Sequence, residues 1–94
     1  VDMIKMNLTE HASMRLKKRG IPLEIAEQVV LYGEEKYTHG SVKYHIPKSE
    51  LRYLENEIPN FKKHKNLLKN VLVVSKDSTI ITVMKRSKNK KIFN

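Results

Sequence analysis

The sequence predicts an α+β domain in which two N-terminal helices pack on an antiparallel sheet of about four strands, with a helical insert between its two hairpins. Three observations support this prediction. Apolar residues recur at helical spacing in the first third of the chain, and apolar and polar residues alternate from residue 35. Residues 80–84 are apolar on both faces, as in a central strand. The chain of 94 residues has the length of a single domain, expected to span residues 1–94.

The boundaries of the two N-terminal helices follow from residues that start and stop helices. Thr9 is suited to cap the first helix, which is predicted to end at Arg19, before Gly20. Pro22 opens the second helix at or near its first position, and Gly33 follows its end. The short connection between the helices predicts a tight helical corner.

Two β-hairpins are predicted from strand-forming runs on either side of turn residues. Residues 36–38 and 42–46 flank His39-Gly40, and Val42, Tyr44 and Ile46 would face the core. Residues 71–75 and 79–86 flank a polar turn and make the second hairpin.

The segment between the hairpins is predicted to be partly helical. A short third helix is expected from residue 48 or 49 to about residue 57, where apolar residues recur at helical spacing. The lysine-rich residues 60–70 fit either a loop or a further short helix. Residues 87–94 are polar and basic, and we expect a flexible tail there.

The charge of the chain is strongly positive and unevenly distributed. The net charge is +9, and basic and acidic residues balance up to residue 57, so all of the excess lies in residues 58–94. Such a field attracts phosphate polymers, although a lysine-rich surface also serves solubility alone. The chain has no cysteine and no apolar run of about 20 residues, so we expect a cytoplasmic protein without disulfides.

Three cationic residues follow one another at helical spacing on the first helix. The wheel places Leu8, Ala12 and Leu16 on the apolar stripe. His11, Arg15 and Arg19 lie at the edge of that stripe, where a guanidinium needs an acceptor or a ligand. A groove between helix and sheet would let them hold a phosphodiester.

The same three residues have a structural explanation. The two arginines can pair with Glu27, Glu34 or backbone carbonyls, and His11 can act as a second helix cap. An H-x₃-R-x₃-R pattern on a helix does not by itself decide between these interpretations.

Residues 11–21, H-A-S-M-R-L-K-K-R-G-I, resemble the opening H-A-x-x-R-x-x-x-R-G-I of an uncharacterised group of small bacterial proteins. That group is placed with the RelE-like toxins in the barnase–EndoU–colicin–RelE superfamily of metal-independent ribonucleases. The predicted last hairpin, the second helix and Gly33 are also similar to the family. Residues 48–70 are longer and richer in lysine than the family pattern, so the resemblance leaves that stretch unassigned.

The resemblance implies an endoribonuclease of toxin–antitoxin type that cleaves RNA by attack of the 2′-OH on its own phosphate. It implies His11 as general acid or base, Arg15 and Arg19 on the scissile phosphate, and Thr82 bonded to a phosphate oxygen. The residues expected to contact the RNA are Lys18, Lys43, Tyr44, Lys85 and Arg86. Tyr44 also fits a plain core position, and Thr82 a strand position without a role.

The implied partners are RNA, free or on the ribosome, and an acidic antitoxin protein; no metal or cofactor is expected. Two alternatives stay open: a non-catalytic nucleic-acid-binding module on the same fold, and an interaction protein whose basic face meets an acidic protein. The four histidines lack zinc-site spacing, and no phosphate-binding P-loop, serine elbow or cysteine nucleophile occurs.

Overall fold

The structure, a computed structural model, describes residues 7–85 and has the α+β arrangement that the sequence predicts. In chain order the elements are β1 (Asn7–Leu8), α1 (Glu10–Arg19), α2 (Leu23–Tyr32), β2 (Glu34–Thr38), β3 (Ser41–His45), α3 (Lys48–Leu51), a 3-10 helix (Arg52–Leu54), α4 (Phe61–Asn70), β4 (Val71–Lys76) and β5 (Thr79–Lys85). The expected tail and Arg86 lie outside the described residues.

Both N-terminal helices begin and end where the sequence predicts. The Thr9 side chain accepts a hydrogen bond from the Ala12 amide at 3.1 Å, which caps α1. Gly20 adopts a left-handed conformation with φ of 64°, and the Ile21 amide closes the helix end by donating to the Leu16 carbonyl at 2.9 Å. Pro22 caps α2 with extended backbone, so the corner between the helices is short.

The sheet has five strands rather than the predicted four, in the order β1-β5-β4-β3-β2. The additional strand, β1, pairs in parallel with β5 through Asn7 opposite Thr79 and Leu8 opposite Ile80. The other neighbouring strands are antiparallel, and the two predicted hairpins are confirmed as β2–β3 and β4–β5. A two-residue strand shows no alternation, so it gives no periodic signal in the sequence.

The insert between the hairpins differs from the prediction in one boundary. The third helix was expected to reach residue 57, but α3 ends at Leu51 and a 3-10 helix continues only to Leu54. Beyond this point the Glu57 and Ile58 amides both donate to the Leu54 carbonyl at 3.0 Å, so the chain turns there instead of continuing the helix. Residues 60–70 take the helical alternative, because Phe61, His64 and Leu68 form a buried stripe at helical spacing.

The core lies between the helices and one face of the sheet. Helix α1 packs on β5, and α2 packs on β4 and β3 and contacts α4. The buried residues contributed by α1, α2 and these strands include Ala12, Leu16, Ile25, Ala26, Val29, Val71, Val73, Ile80 and Val83.

Cross-strand pairing separates the residues of the sheet into a helix-covered face and an outer face. Val73 lies opposite both Val83 and Tyr44, and these residues point toward the helices. The next position on β4, Val74, lies opposite Thr82 and Lys43, which therefore lie on the outer face.

Gly33 sits where the end of α2 touches β3. A Cβ atom at this position would overlap the Val29 carbonyl oxygen and come within 2.7 Å of the His45 carbonyl oxygen. Both obstacles are backbone atoms, which cannot rotate away. Any residue can adopt the φ of −81° found at Gly33, so backbone conformation does not explain the glycine. The lack of space for a side chain does.

We predict that Gly33→Ala lowers the free energy of unfolding by about 3 kcal/mol, because the added methyl group forces the backbones of α2 and β3 apart. Gly20→Ala is the matched control, because an added methyl group at Gly20 meets open space and is unfavourable only through the left-handed backbone conformation. Its expected cost is about 1 kcal/mol. Urea unfolding monitored by circular dichroism measures both, and equal losses would contradict the steric explanation.

Candidate nucleic-acid interface

Helix α1 is attached to β5 through Thr9, the residue between β1 and α1. The Thr9 amide donates to the Ile80 carbonyl at 3.0 Å, and its hydroxyl donates to the Ile81 carbonyl at 3.5 Å. The same hydroxyl oxygen accepts from the Ala12 amide and caps the helix. One residue therefore fixes the position of the first turn of α1, which carries His11, relative to the sheet.

His11 and Arg15 form a hydrogen-bonded pair on the surface of α1. The Arg15 Nε group donates to His11 Nε2 at 3.3 Å, one helical turn apart. His11 is exposed and Arg15 is half-buried. His11 Nε2 is the acceptor of this hydrogen bond, and the Nη groups of Arg15 can donate to another acceptor.

Arg19 continues the row one turn further along α1 and is half-buried. In the part of the chain that the structure describes, neither Arg15 nor Arg19 lies within ion-pair distance of a carboxylate; the contact of that kind found there joins His64 Nδ1 and Glu24 Oε1 at 3.8 Å, and it is an ion pair only when His64 is protonated. The pairing with Glu27 or Glu34 that the sequence left open is thus absent from residues 7–85. The positive charge of this row is available to a ligand.

The structure does not bring Thr82 together with this row. Thr82 and Lys43 lie on the outer face of the sheet, whereas α1 packs on the opposite face. The sequence could not assign the face of Thr82, because residues 80–84 are apolar on both sides and a register shift occurs between Val74 and Ser75. A single hollow that contains both His11 and Thr82 is therefore not present.

The other predicted residues that the structure describes lie on the side of the sheet that carries the helices. Tyr44 packs against the core on the helix-covered face, as expected if it is a core residue and does not contact RNA. Lys18 is exposed on α1. Lys85 is exposed at the end of β5 and lies opposite Val71, so it belongs to the same side as α1.

Tyr37 lies on β2, at the far edge of the sheet from β1 and its neighbour β5. A hydrogen bond of 2.8 Å from the Tyr37 hydroxyl to Glu35 Oε2, together with the charge of that carboxylate, raises the pKa of Tyr37 above its ordinary value. The phenol therefore stays a neutral donor at physiological pH, and its position places it away from His11.

A second group of cationic side chains surrounds a groove that the sequence analysis did not single out. We call it the insert groove; it lies between α3, the following 3-10 helix and α4, and has a volume of about 290 Å³. Its cationic residues are Lys48, Arg52, Lys65 and Lys69. Their sequence signal is the spacing of four residues within each pair, which places both members on one side of a helix.

Comparison of the chain with family models, with curated proteins and with solved structures gave no match. The similarity of residues 11–21 to the RelE-like opening therefore stays a prediction, and the geometry of the described residues must carry the functional argument. Residues 7–85 contain no helix long and apolar enough to cross a membrane, and no cluster of three histidine or acidic side chains suited to a metal ion.

We predict that Thr9→Ala lowers the free energy of unfolding by about 1 kcal/mol, because it removes both the cap of α1 and the hydroxyl bond to β5. Hydrogen exchange at the Ala12 amide should accelerate, since that donor loses its acceptor. Thr9→Ser is the control that keeps the oxygen, and both measurements should stay near wild type. Unchanged exchange in Thr9→Ala would show that the hydroxyl does not hold the helix.

Proposed function

We propose that this protein is an endoribonuclease of toxin type that cleaves RNA at the His11–Arg15 pair. The observation that carries the proposal is that an exposed imidazole accepts a hydrogen bond from a guanidinium that no carboxylate neutralises among residues 7–85. An imidazole transfers protons near neutral pH, and a guanidinium holds phosphate oxygens, so the pair joins the two requirements of phosphodiester cleavage.

The proposed reaction needs only groups that this chain and water supply. The 2′ oxygen of the RNA attacks the adjacent phosphorus, the bond from phosphorus to the 5′ oxygen breaks, and a cyclic phosphate and a free 5′-OH result. His11 acts as general acid or base for one proton transfer, and solvent serves the other. The guanidiniums of Arg15 and Arg19 stabilise the charge that builds on the phosphate oxygens.

The hydrogen bond between Arg15 and His11 has a role in this mechanism. It orients the imidazole while RNA is absent, and a phosphate bound in bidentate fashion by Nε–H and an Nη group of Arg15 would take the donor that His11 uses. When Arg15 turns toward the phosphate, His11 Nε2 is released as a proton acceptor. The pair therefore couples phosphate binding to the availability of the base.

Binding of the substrate is supported by the charge of the chain. The net charge of +9 attracts a polyanion over long range, and this attraction weakens with salt. The same cations suit an acidic antitoxin segment, which would compete with RNA for the α1 row. A short acidic protein encoded by a neighbouring gene would be the natural candidate for this antitoxin.

A non-catalytic nucleic-acid-binding module is the second candidate function. It is favoured by the location of Thr82 and Lys43 on the outer face, because a phosphate held at His11 does not reach them. In that case the cationic surfaces bind RNA without cutting it.

We predict that the purified protein cleaves ribosome-free RNA in the presence of EDTA and leaves 2′,3′-cyclic phosphate ends. His11→Ala should lower the cleavage rate by at least about 100-fold, as expected for the loss of a general acid or base. Arg15→Ala should cost about 100-fold through lost charge stabilisation. Lys17→Ala, which removes an exposed cation from the same helix, should leave the rate unchanged.

The same assay separates the two candidate functions. If wild-type protein leaves RNA intact both free and on translating ribosomes, cleavage is refuted and the binding module is retained. Equal loss of cleavage in Lys17→Ala and His11→Ala would also contradict the assigned role of His11. Circular dichroism of each variant confirms that the fold is intact.

We further predict that His11→Ala and Thr82→Val have additive effects on the cleavage rate, because their side chains lie on opposite faces of the sheet. A double-mutant cycle should give a coupling energy below about 0.5 kcal/mol, the range of independent sites. Substitution of Thr82 by valine keeps the shape of the side chain and removes only the hydroxyl. A coupling above about 1 kcal/mol would place both residues at one phosphate and contradict the arrangement described above.

A further inference from the structure

The insert groove concentrates positive charge in a segment to which the resemblance assigns no role. Four cationic side chains line it together with one carboxylate, Glu55. Leu51 and Phe61, which are buried, provide its apolar lining. The groove is thus a defined depression with a net positive rim.

The cations of the groove are arranged in two pairs of like charge. Lys48 and Arg52 are four residues apart on consecutive helical turns, and Lys65 and Lys69 are four residues apart on α4. Like charges at this spacing repel each other. None of the four forms an ion pair within residues 7–85, with Glu55 or with any other carboxylate. An anion bound between the two pairs would relieve the repulsion.

An exposed aromatic ring stands beside the groove. Tyr53 is 66% exposed and adjoins Arg52, whose guanidinium carbon lies 5.0 Å from the centre of the ring. The Arg52 Nη2 group also donates to the Tyr53 hydroxyl at 3.1 Å, so the two side chains hold one another in place. Unpaired bases stack on exposed aromatic rings and on guanidinium planes. An acidic peptide has phosphate-like charges but no bases, so the ring favours RNA over such a peptide.

We propose that the insert groove binds single-stranded RNA, with backbone phosphates between the two pairs of cations and a base stacked on Tyr53. The inference rests on the proposed function for the identity of the ligand. Helix α4 packs on α2, whereas His11 lies on α1, so the groove is a separate site from the His11–Arg15 pair. It holds a stretch of RNA that flanks the cleaved bond.

The test uses the full chain and a fluorescent single-stranded 2′-O-methyl RNA, which lacks the attacking 2′-OH and cannot be cleaved. Lys65→Gln/Lys69→Gln should raise the Kd at least about tenfold and lower the slope of log Kd against log salt by about 1.4, or about 0.7 for each lost phosphate contact. The matched control is Lys62→Gln/Lys63→Gln, which makes the same charge change on the same helix outside the groove. Its Kd should change less than about twofold.

Substitution of Tyr53 tests the stacking contact by itself. Tyr53→Ala should raise the Kd about tenfold, the loss expected for one stacked base, whereas Tyr53→Phe, which loses the hydrogen bond from Arg52 but keeps the ring, should raise it much less. The salt slope should not change in either variant, because no charge is removed. The single variants Lys65→Gln and Lys69→Gln, each with about half the slope change, replace the double variant if it is unfolded.

The outcomes distinguish the groove from the cleavage site. If wild-type protein binds and cleaves RNA but the two lysine pairs have equal effects, the groove inference fails and the proposed function stands. If the groove variants lose binding while His11→Ala leaves cleavage unchanged, the proposed function fails and the groove stands as an RNA site. If a labelled polyglutamate peptide binds with the same dependence on Lys65 and Lys69 and RNA does not, the occupant is an acidic protein segment and the inference is overturned.

Discussion

The attachment of α1 to β5 is the constraint on which the rest of the structure depends. Thr9 supplies a helix cap and two hydrogen bonds to β5, so the chain must turn from β1 into α1 at a fixed angle. Ala12 and Leu16 then face the sheet and enter the core. With that face of the helix committed, His11 is left exposed, and Arg15 and Arg19 lie half-buried at its edge, where their alkyl stems can pack while their guanidinium heads stay hydrated. The His11–Arg15 pair is thus a consequence of how the core is closed.

The alternation of side chains along the strands separates the residues of the sheet into two faces. Because α1 and α2 pack on the face that carries Val73 and Val83, the neighbouring positions Val74 and Thr82 are directed to the outer face. Thr82 and Lys43 follow this rule and are separated from α1 by the thickness of the sheet. A small domain with one core thus presents at least two chemically different surfaces, and a polyanion that contacts both must wrap around an edge of the sheet.

The sequence predicts those features that short-range chemistry decides. Thr9, Gly20 and Pro22 set helix boundaries by their own conformational preferences, and the neighbourhood of His11 and Arg15 follows from helical spacing alone. The strand β1 could not be predicted, because its two residues form a strand only by pairing with β5 near Ile80, far along the chain. The face on which Thr82 lies likewise depends on a register shift between β4 and β5. The helical conformation of α4 depends on burial of an apolar stripe whose residues are separated by lysines in the sequence.

The two cationic sites of this domain differ in the chemistry that they can perform. The groove is lined by ammonium and guanidinium groups with a single carboxylate, and it has no imidazole. Such a set attracts phosphates but lacks the residue type best suited to proton transfer at neutral pH, so RNA held there would gain affinity and not rate. His11 beside Arg15 is the reverse case, because this pair has fewer cationic groups than the groove but includes an imidazole, which can trade protons. Since binding energy gained at a distance from the reacting bond can be used to position that bond, a strand held at the groove would raise the effective concentration of phosphate at α1. If both proposals hold, the lysine-rich insert supplies affinity for RNA that the exposed His11–Arg15 pair would lack by itself.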